Sequence, residues 1–330
     1  MKKSIPPAWI LWFVSPILGE LFSGSTPLDE YINPFSILML GMLYGSGAVL
    51  IRELLVHWKK GWLSLLLLGL AYGIYEEGLM VRSFFDPNWM DLDVLGTYGR
   101  VFGVNWVWTE HLMIFHALIS IAASITLVEM LYPARRAESW IGRRGLTWNI
   151  LAFAATLPLG ALLNPYDTPD GWLGACWLAI TALTLAAWRV SGKAKEPGVV
   201  KVPAPALFWF VGFLGYLGQF LILYSTAEKN SPPFVITMLL VALYDLFILW
   251  LLLRWSGGTR AWDDRHRLAL ICGALSFFLI LGPLTMNGQY PVMYYSNPVF
   301  LLCLWFIYRK VKKRVLSEST VEADTISRPI

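Results

Sequence analysis

Long apolar blocks alternate with short polar interruptions along the chain, and the blocks have about the 17 to 25 residues that a helix needs to cross a hydrocarbon core. Reading the blocks against their interruptions predicts ten spans, at residues 8–23, 34–54, 62–83, 106–131, 147–163, 172–189, 205–225, 234–254, 267–285 and 294–309. Backbone polar groups in lipid must be satisfied within the segment itself, so such spans are helices. The fold class is therefore all-α, a polytopic transmembrane helix bundle of about ten helices. The longest outer segment, 84–105, holds Asp86, Trp89, Asp91, Asp93 and Tyr98 and is expected to form a lid or an interfacial helix. Beyond Arg314 the sequence LSESTVEADTISRPI is polar with few large apolar residues, which predicts a disordered tail. The expected division is 1–170, carrying the first five spans and the candidate site, 171–314 with the second five, and a cytoplasmic tail at 315–330.

Composition supports lipid as the solvent. The chain is 57% hydrophobic, with a mean hydropathy of +0.57 and only 15% charged residues, whereas a soluble domain carries roughly 25%. Placing both termini in the cytoplasm puts 22 of the 26 Lys and Arg on that side and leaves Arg82, Arg100 and Lys229 outside, with Arg52 near the inner end of the second span. Cytoplasmic loops carry this excess, so the expected location is a cell membrane, multi-pass, with N- and C-termini inside. The net charge of +4 sits in the inter-helix segments and points to topology rather than nucleic acid. The first block follows Met1, Lys2 and Lys3 like a signal peptide, but it contains Glu20 and no small-residue cleavage site follows, so it is expected to stay as the first helix. Cys176, Cys272 and Cys303 lie singly in apolar runs and suggest neither disulfides nor a metal knot. Asn33-Pro34 and Asn297-Pro298 read as helix starts, with Asn as the cap and Pro as the first helical residue, and Asn164-Pro165 as the close of the fifth span.

Charges inside the membrane are costly and mark functional sites by default. The first five spans carry Glu20, Arg52, Glu53, Glu76, Glu77, Glu110, His111 and His116, whereas in the second five only Asp245 lies well inside, with Gln219 and Tyr216 as minor candidates. In the third span Gly69, Gly73 and Glu77 recur every four residues, so Glu77 shares a face with small residues that permit close helix approach. Glu76 falls on the stripe of Tyr72 and Met80, so the two carboxylates diverge unless the helix bends at Gly78. His111 and His116 are five apart, the wrong spacing for two ligands from one regular turn, yet each can join a site shared with the glutamates, and Ser120 follows His116 by one turn. Pro16 and Gly19 can interrupt the first helix beside Glu20. Arg52 and Glu53 lie near the opposite membrane face and read as an interfacial anchor or ion pair. The candidates Glu20, Glu76, Glu77, Arg82, His111, His116 and Asn164 all map to the extracytoplasmic half, which argues for one shared site. A divalent metal such as zinc is an expected cofactor, on Glu77, His111 and His116.

A glutamate pair followed by Arg on one helix and a His on the next resembles the CPBP intramembrane protease family, which includes the CAAX prenyl endopeptidases. The pattern there is EExxxR and then FxxxH; this chain has four residues between Glu77 and Arg82, and Leu112 four before His116. The resemblance implies that Glu76 or Glu77 activates water, with His116 assisting and Arg82 positioning. The expected function is thus a membrane-embedded hydrolase or protease, catalytic residues Glu76, Glu77, His116 and Arg82, acting on a peptide or lipid, with membrane lipid as its other partner. A cation- or proton-coupled transporter and a non-catalytic membrane subunit are the alternatives.

Overall fold

The computed structural model describes residues 5–192, 201–256, 262–285 and 291–326, with the side chains of 285 and of 319–326 excepted. Ten principal helices run through these residues: α1 (Pro7–Leu21), α2 (Pro34–Trp58), α3 (Trp62–Met80), α4 (Trp106–Leu131), α5 (Arg143–Leu163), α6 (Trp172–Arg189), α7 (Pro205–Glu228), α8 (Phe234–Ser256), α9 (Asp264–Thr285) and α10 (Met293–Ile326). Helices α2 to α9 are long and apolar enough to cross a membrane, and α1 is a shorter apolar helix. The ten spans predicted from the hydrophobic pattern each coincide with one of them. Two boundaries differ. Helix α10 continues past Arg314 to Ile326, because nothing in LSESTVEADTI breaks a helix and Arg314 lies 3.6 Å from Glu318 one turn on. Segment 84–105 forms no interfacial helix: it is a chain of turns with a 3-10 turn at Asp93–Leu95 and a two-residue hairpin, Arg100–Val101 against Val104–Asn105.

The chain folds into two compact units. One comprises Met1–Leu21, Ser25–Ala194 and Gly218–Asp245; the other comprises Phe22–Gly24, Lys195–Leu217 and Leu246–Ile330. The first unit therefore includes α6 and parts of α7 and α8.

In the first unit α3 is the central helix, 78% buried along its apolar window, while the windows of α5, α6 and α8 are only 11% buried. Leu162 on α5 and Leu178 on α6 are 77% and 73% exposed, an arrangement that suits lipid rather than water. Polar side chains tie α3 to its neighbours: Ser64 donates to Ala187 O of α6 at 2.8 Å, and Tyr75 to Phe153 O of α5 at 2.6 Å. Against α4 the contact is closer still. The glycine face predicted from the sequence lies on α4, where a Cβ at Gly69 would stand 2.7 Å from Ala117 Cα and one at Gly73 would stand 3.1 Å from Met113 Cα. Backbone cannot yield as a side chain does, so Gly69→Ala is expected to force α3 off α4 at a cost of about 1–3 kcal/mol. The melting temperature in detergent should fall for Gly69→Ala and not for Gly61→Ala, whose Cβ meets nothing within 4 Å; equal melting of the two would refute the close contact.

In the second unit, Pro283 in α9 has no N–H for the carbonyl of Leu279 four residues before it. Asn297 Nδ2 donates to that carbonyl at 3.0 Å, and Tyr294 OH donates to Pro283 O at 3.0 Å. This corrects one sequence expectation. Asn297-Pro298 does not open α10, which begins at Met293; Asn297 is a buried cross-link to α9. Asn33 does cap α2, accepting from Phe35 N at 2.9 Å. At the far end of α10, Arg314 pairs with Asp264 at 2.6 Å.

Candidate functional site

Each of the first four helices contains a π-helical segment: Ile17–Leu21, Gly41–Gly45, Ile74–Met80 and His116–Ala123. Such segments carry one residue more per turn than the α-helix tolerates and persist mainly where function needs them. Here they hold Glu20, Tyr44, the Glu76-Glu77 pair, and His116 with Ser120. All belong to the first unit.

His116 is the hub. Its Nε2 lies 2.9 Å from Glu77 Oε1, and its Nδ1 lies 3.2 Å from Glu76 Oε2 and 3.0 Å from Ser120 Oγ. Glu76, Glu77 and His116 are 3%, 7% and 2% exposed. Successive residues of a regular helix point roughly 100° apart, which is why the sequence suggested divergence. The π turn at Ile74–Met80 lets both carboxylates reach one imidazole, whose two nitrogens face opposite ways. Glu77 Oε2 accepts a short hydrogen bond from Ser83 Oγ, which itself accepts from Trp108 Nε1 at 3.1 Å. Glu76 Oε2 is held in the group by His116 Nδ1, and the hydroxyl of Tyr72, one turn before it, is buried against the same carboxylate.

Glu20 joins from α1. Tyr44 donates a short hydrogen bond to its Oε1, and Thr26 donates to Oε2 at 2.7 Å. The Tyr44 ring lies 6.1 Å from that of His116. Gly19 makes room for this arrangement, since a Cβ there would come within 2.6 Å of the Tyr44 ring and 3.0 Å of Ser120 Oγ. Tyr44, Tyr72, Ser83 and Trp108 carry no charge, and nothing in their sequence setting separates them from ordinary membrane aromatics and hydroxyls.

Three candidates go elsewhere. Arg82, in a left-handed conformation with φ +63°, donates to Tyr166 O at 2.5 Å and ties the end of α3 to the chain beyond α5. Asn164 ends α5, its carbonyl accepting from Tyr166 N at 2.8 Å, so it shares that structural junction. His111 turns to α7, with Nδ1 3.2 Å from Gln219 Oε1, and Gln219 Nε2 donates to Asp245 Oδ2 at 3.2 Å. Because the amide nitrogen serves Asp245, the amide oxygen must accept, and His111 Nδ1 carries the proton. Arg52 is the expected anchor: it pairs with Glu53 at 2.9 Å, donates to the carbonyls of Arg135 and Arg136, and stacks 3.7 Å from the Trp140 ring.

Outside the membrane, the loop before α4 is docked rather than free. Asn105 accepts from Trp108 N at 3.0 Å and donates to Leu95 O at 2.6 Å, and Tyr98 OH donates to Pro232 O at 2.6 Å. On this loop burial pushes the Asp91 carboxyl up to about 7, with the negative charges of Glu20 and Glu77 adding to the shift.

The sequence model of an uncharacterized membrane protein family matches residues 9–303. The chain belongs to that family. The match takes in α1 to α9 and the first turns of α10, and with them every residue of the Glu76, Glu77 and His116 group. No curated protein and no solved structure matches the chain.

Proposed function

We propose that this membrane protein is a membrane-embedded hydrolase that uses the Glu77 and His116 pair to activate water against a carbonyl of a membrane-resident peptide or lipid. The observation that carries the reading is the imidazole held at 2.9 Å from one buried carboxylate and 3.2 Å from another. A carboxylate and an imidazole in hydrogen-bond contact can take the proton from an attacking water and return it to the leaving group. The Tyr72 hydroxyl, a buried donor beside Glu76, supplies a group that can stabilise the oxyanion. This division of labour is the one implied by the resemblance to the CPBP proteases, without Arg82. Comparing the membrane peptides and lipids of cells that express wild type or Glu77→Gln tests it: one substrate accumulates and its hydrolysis product disappears in the variant. Identical profiles would overturn the reading.

A second reading is favoured by the chain from His111 through Gln219 to Asp245, which links α4, α7 and α8. Intramembrane acids joined by hydrogen bonds suit a proton- or cation-coupled carrier. Asp245→Asn leaves hydrolysis intact under the first reading and abolishes transport under the second.

The site faces the extracytoplasmic side in this proposal, on the strength of the basic residues assigned to the opposite face. A reporter that works only in the cytoplasm should give signal when fused after Arg144 and none after Asp170; the reverse pattern would invert the topology.

A further inference from the structure

We propose that the hairpin tip formed by Phe102 and Gly103 is a membrane anchor, with the Phe102 ring seated among lipid acyl chains at the interface of the leaflet nearest the Trp106 end of α4. The anchor stands apart from the hydrolase reading and does not depend on it.

The tip is apolar where its turn favours polar residues. Phe102 and Gly103 are the two central residues of the hairpin, with φ +55° and +78°. A two-residue turn of this kind is the usual setting for Asn-Gly or Asp-Gly, because a bulky side chain rarely adopts a left-handed backbone. Phe102 is nevertheless there and is 83% exposed, more than any other large apolar side chain among the described residues, whereas the adjoining Val104 and Asn105 are buried. A ring that touches so little of its own protein does not repay the strained backbone unless something outside receives it.

The stem holds the tip rigidly. Arg100 donates to Phe85 O at 2.7 Å and to Gly96 O at 3.2 Å, and Asn105 N donates to Phe84 O at 2.9 Å. At the tip, Trp172 Nε1 donates to Phe102 O at 3.0 Å and Trp106 Nε1 to Val101 O at 3.2 Å. The two indoles meet edge to face, with ring centroids 5.6 Å apart. A Cβ on Gly103 would stand 2.7 Å from Pro169 Cγ, so the turn is seated on the segment between α5 and α6.

The position of the tip selects lipid as the occupant. Trp106 and Trp172 are the first residues of α4 and α6, and Trp at the ends of membrane helices marks the level of the interface. Their N–H groups hold the backbone of the turn, which fixes Phe102 at that same level. The chain on either side of Pro169 is apolar and exposed too, at Leu162 and Leu163 in the last turn of α5 and at Leu173 in the first turn of α6. The ring therefore continues a surface already turned to lipid, in a turn, Val101-Phe102-Gly103-Val104, that carries no charge. Anchoring here also steadies the end of α3, because the stem is bonded to Phe84, the residue after the Ser83 that orients Glu77.

The test is photo-crosslinking of the purified full-length protein in phosphatidylcholine vesicles, with a fraction of the lipid carrying a diazirine near the top of an acyl chain. Fragment mass spectrometry then locates the adducts. Wild type is expected to carry lipid on Phe102 as on Leu162, and none on Glu138, a charged and exposed residue of the loop between α4 and α5. Phe102→Asn suits the left-handed turn better, so it should melt in detergent no lower than wild type and yet lose the adducts at 101–104. Should that variant fail to fold, Phe102→Gly takes its place, since glycine adopts positive φ freely. An unlabelled Phe102 in wild type whose Leu162 is labelled overturns the proposal, as do adducts at 101–104 that persist undiminished in the folded variant. A photoreactive phenylalanine analogue at position 102 that cross-links in cell membranes to protein and not to lipid overturns it as well.

Discussion

Glu77→Gln is expected to lower turnover of the hydrolytic substrate in proteoliposomes by about 10²–10⁴-fold, the usual contribution of a general base, while the protein keeps its fold. Glutamine has nearly the shape of glutamate, and its carbonyl still accepts from Ser83. What it loses is the capacity to take a proton. The carboxylate is held from one side by Ser83 and from the other by His116, so it is already oriented for the task. Rates should be compared alongside melting temperatures of the same preparations. Wild-type turnover in a folded Glu77→Gln protein would remove this residue from the chemistry and leave Glu76 as the acid to pursue.

His116→Ala is expected to be the most destabilising single change in the site. The imidazole stands between two buried carboxylates, and deleting one partner of a buried ionic group costs about 3–5 kcal/mol, because the charges left behind have neither water nor a counter-group. Thermal unfolding in detergent measures the loss. The double variant His116→Ala, Glu76→Gln should recover part of it, since one of the stranded carboxylates is then neutral. A His116→Ala protein as stable as wild type would mean that the carboxylates do not depend on the imidazole, and would weaken every role assigned to it above.

The architecture was legible because the spans are separated by charge and their length is set by the bilayer, so the hydrophobic pattern alone located all ten helices. The Gly69, Gly73 and Glu77 face was legible for a similar reason: four-residue spacing is a local property, and it lies on α4 as the pattern required. Non-local choices were not legible. Nothing near His111 announces that Gln219, 108 residues away, will claim it. Asn297 reads as a cap from its own neighbours, and only Pro283 on another helix, by leaving Leu279 O without a donor, reveals its work. The convergence of Glu76 with Glu77 was hidden because the expectation assumed α-helical spacing through Ile74–Met80, where the helix is wider. Tyr44 and Tyr72 were missed because an uncharged hydroxyl costs too little in lipid to stand out.

The widened turn in α3 also constrains how long the chain can be. It lies between the glycines that seat α3 on α4 and the end of the helix, and the carboxylates sit within it. Removing one residue from Ile74–Met80 would restore α-helical winding and rotate everything beyond the deletion by roughly 100° relative to everything before it. Glu77 follows the glycine face by its four-residue spacing, and the widened turn is what brings Glu76 to the same imidazole. A homologous chain one residue shorter in this turn is expected to keep its seat on α4 and lose the convergence of both carboxylates on one histidine.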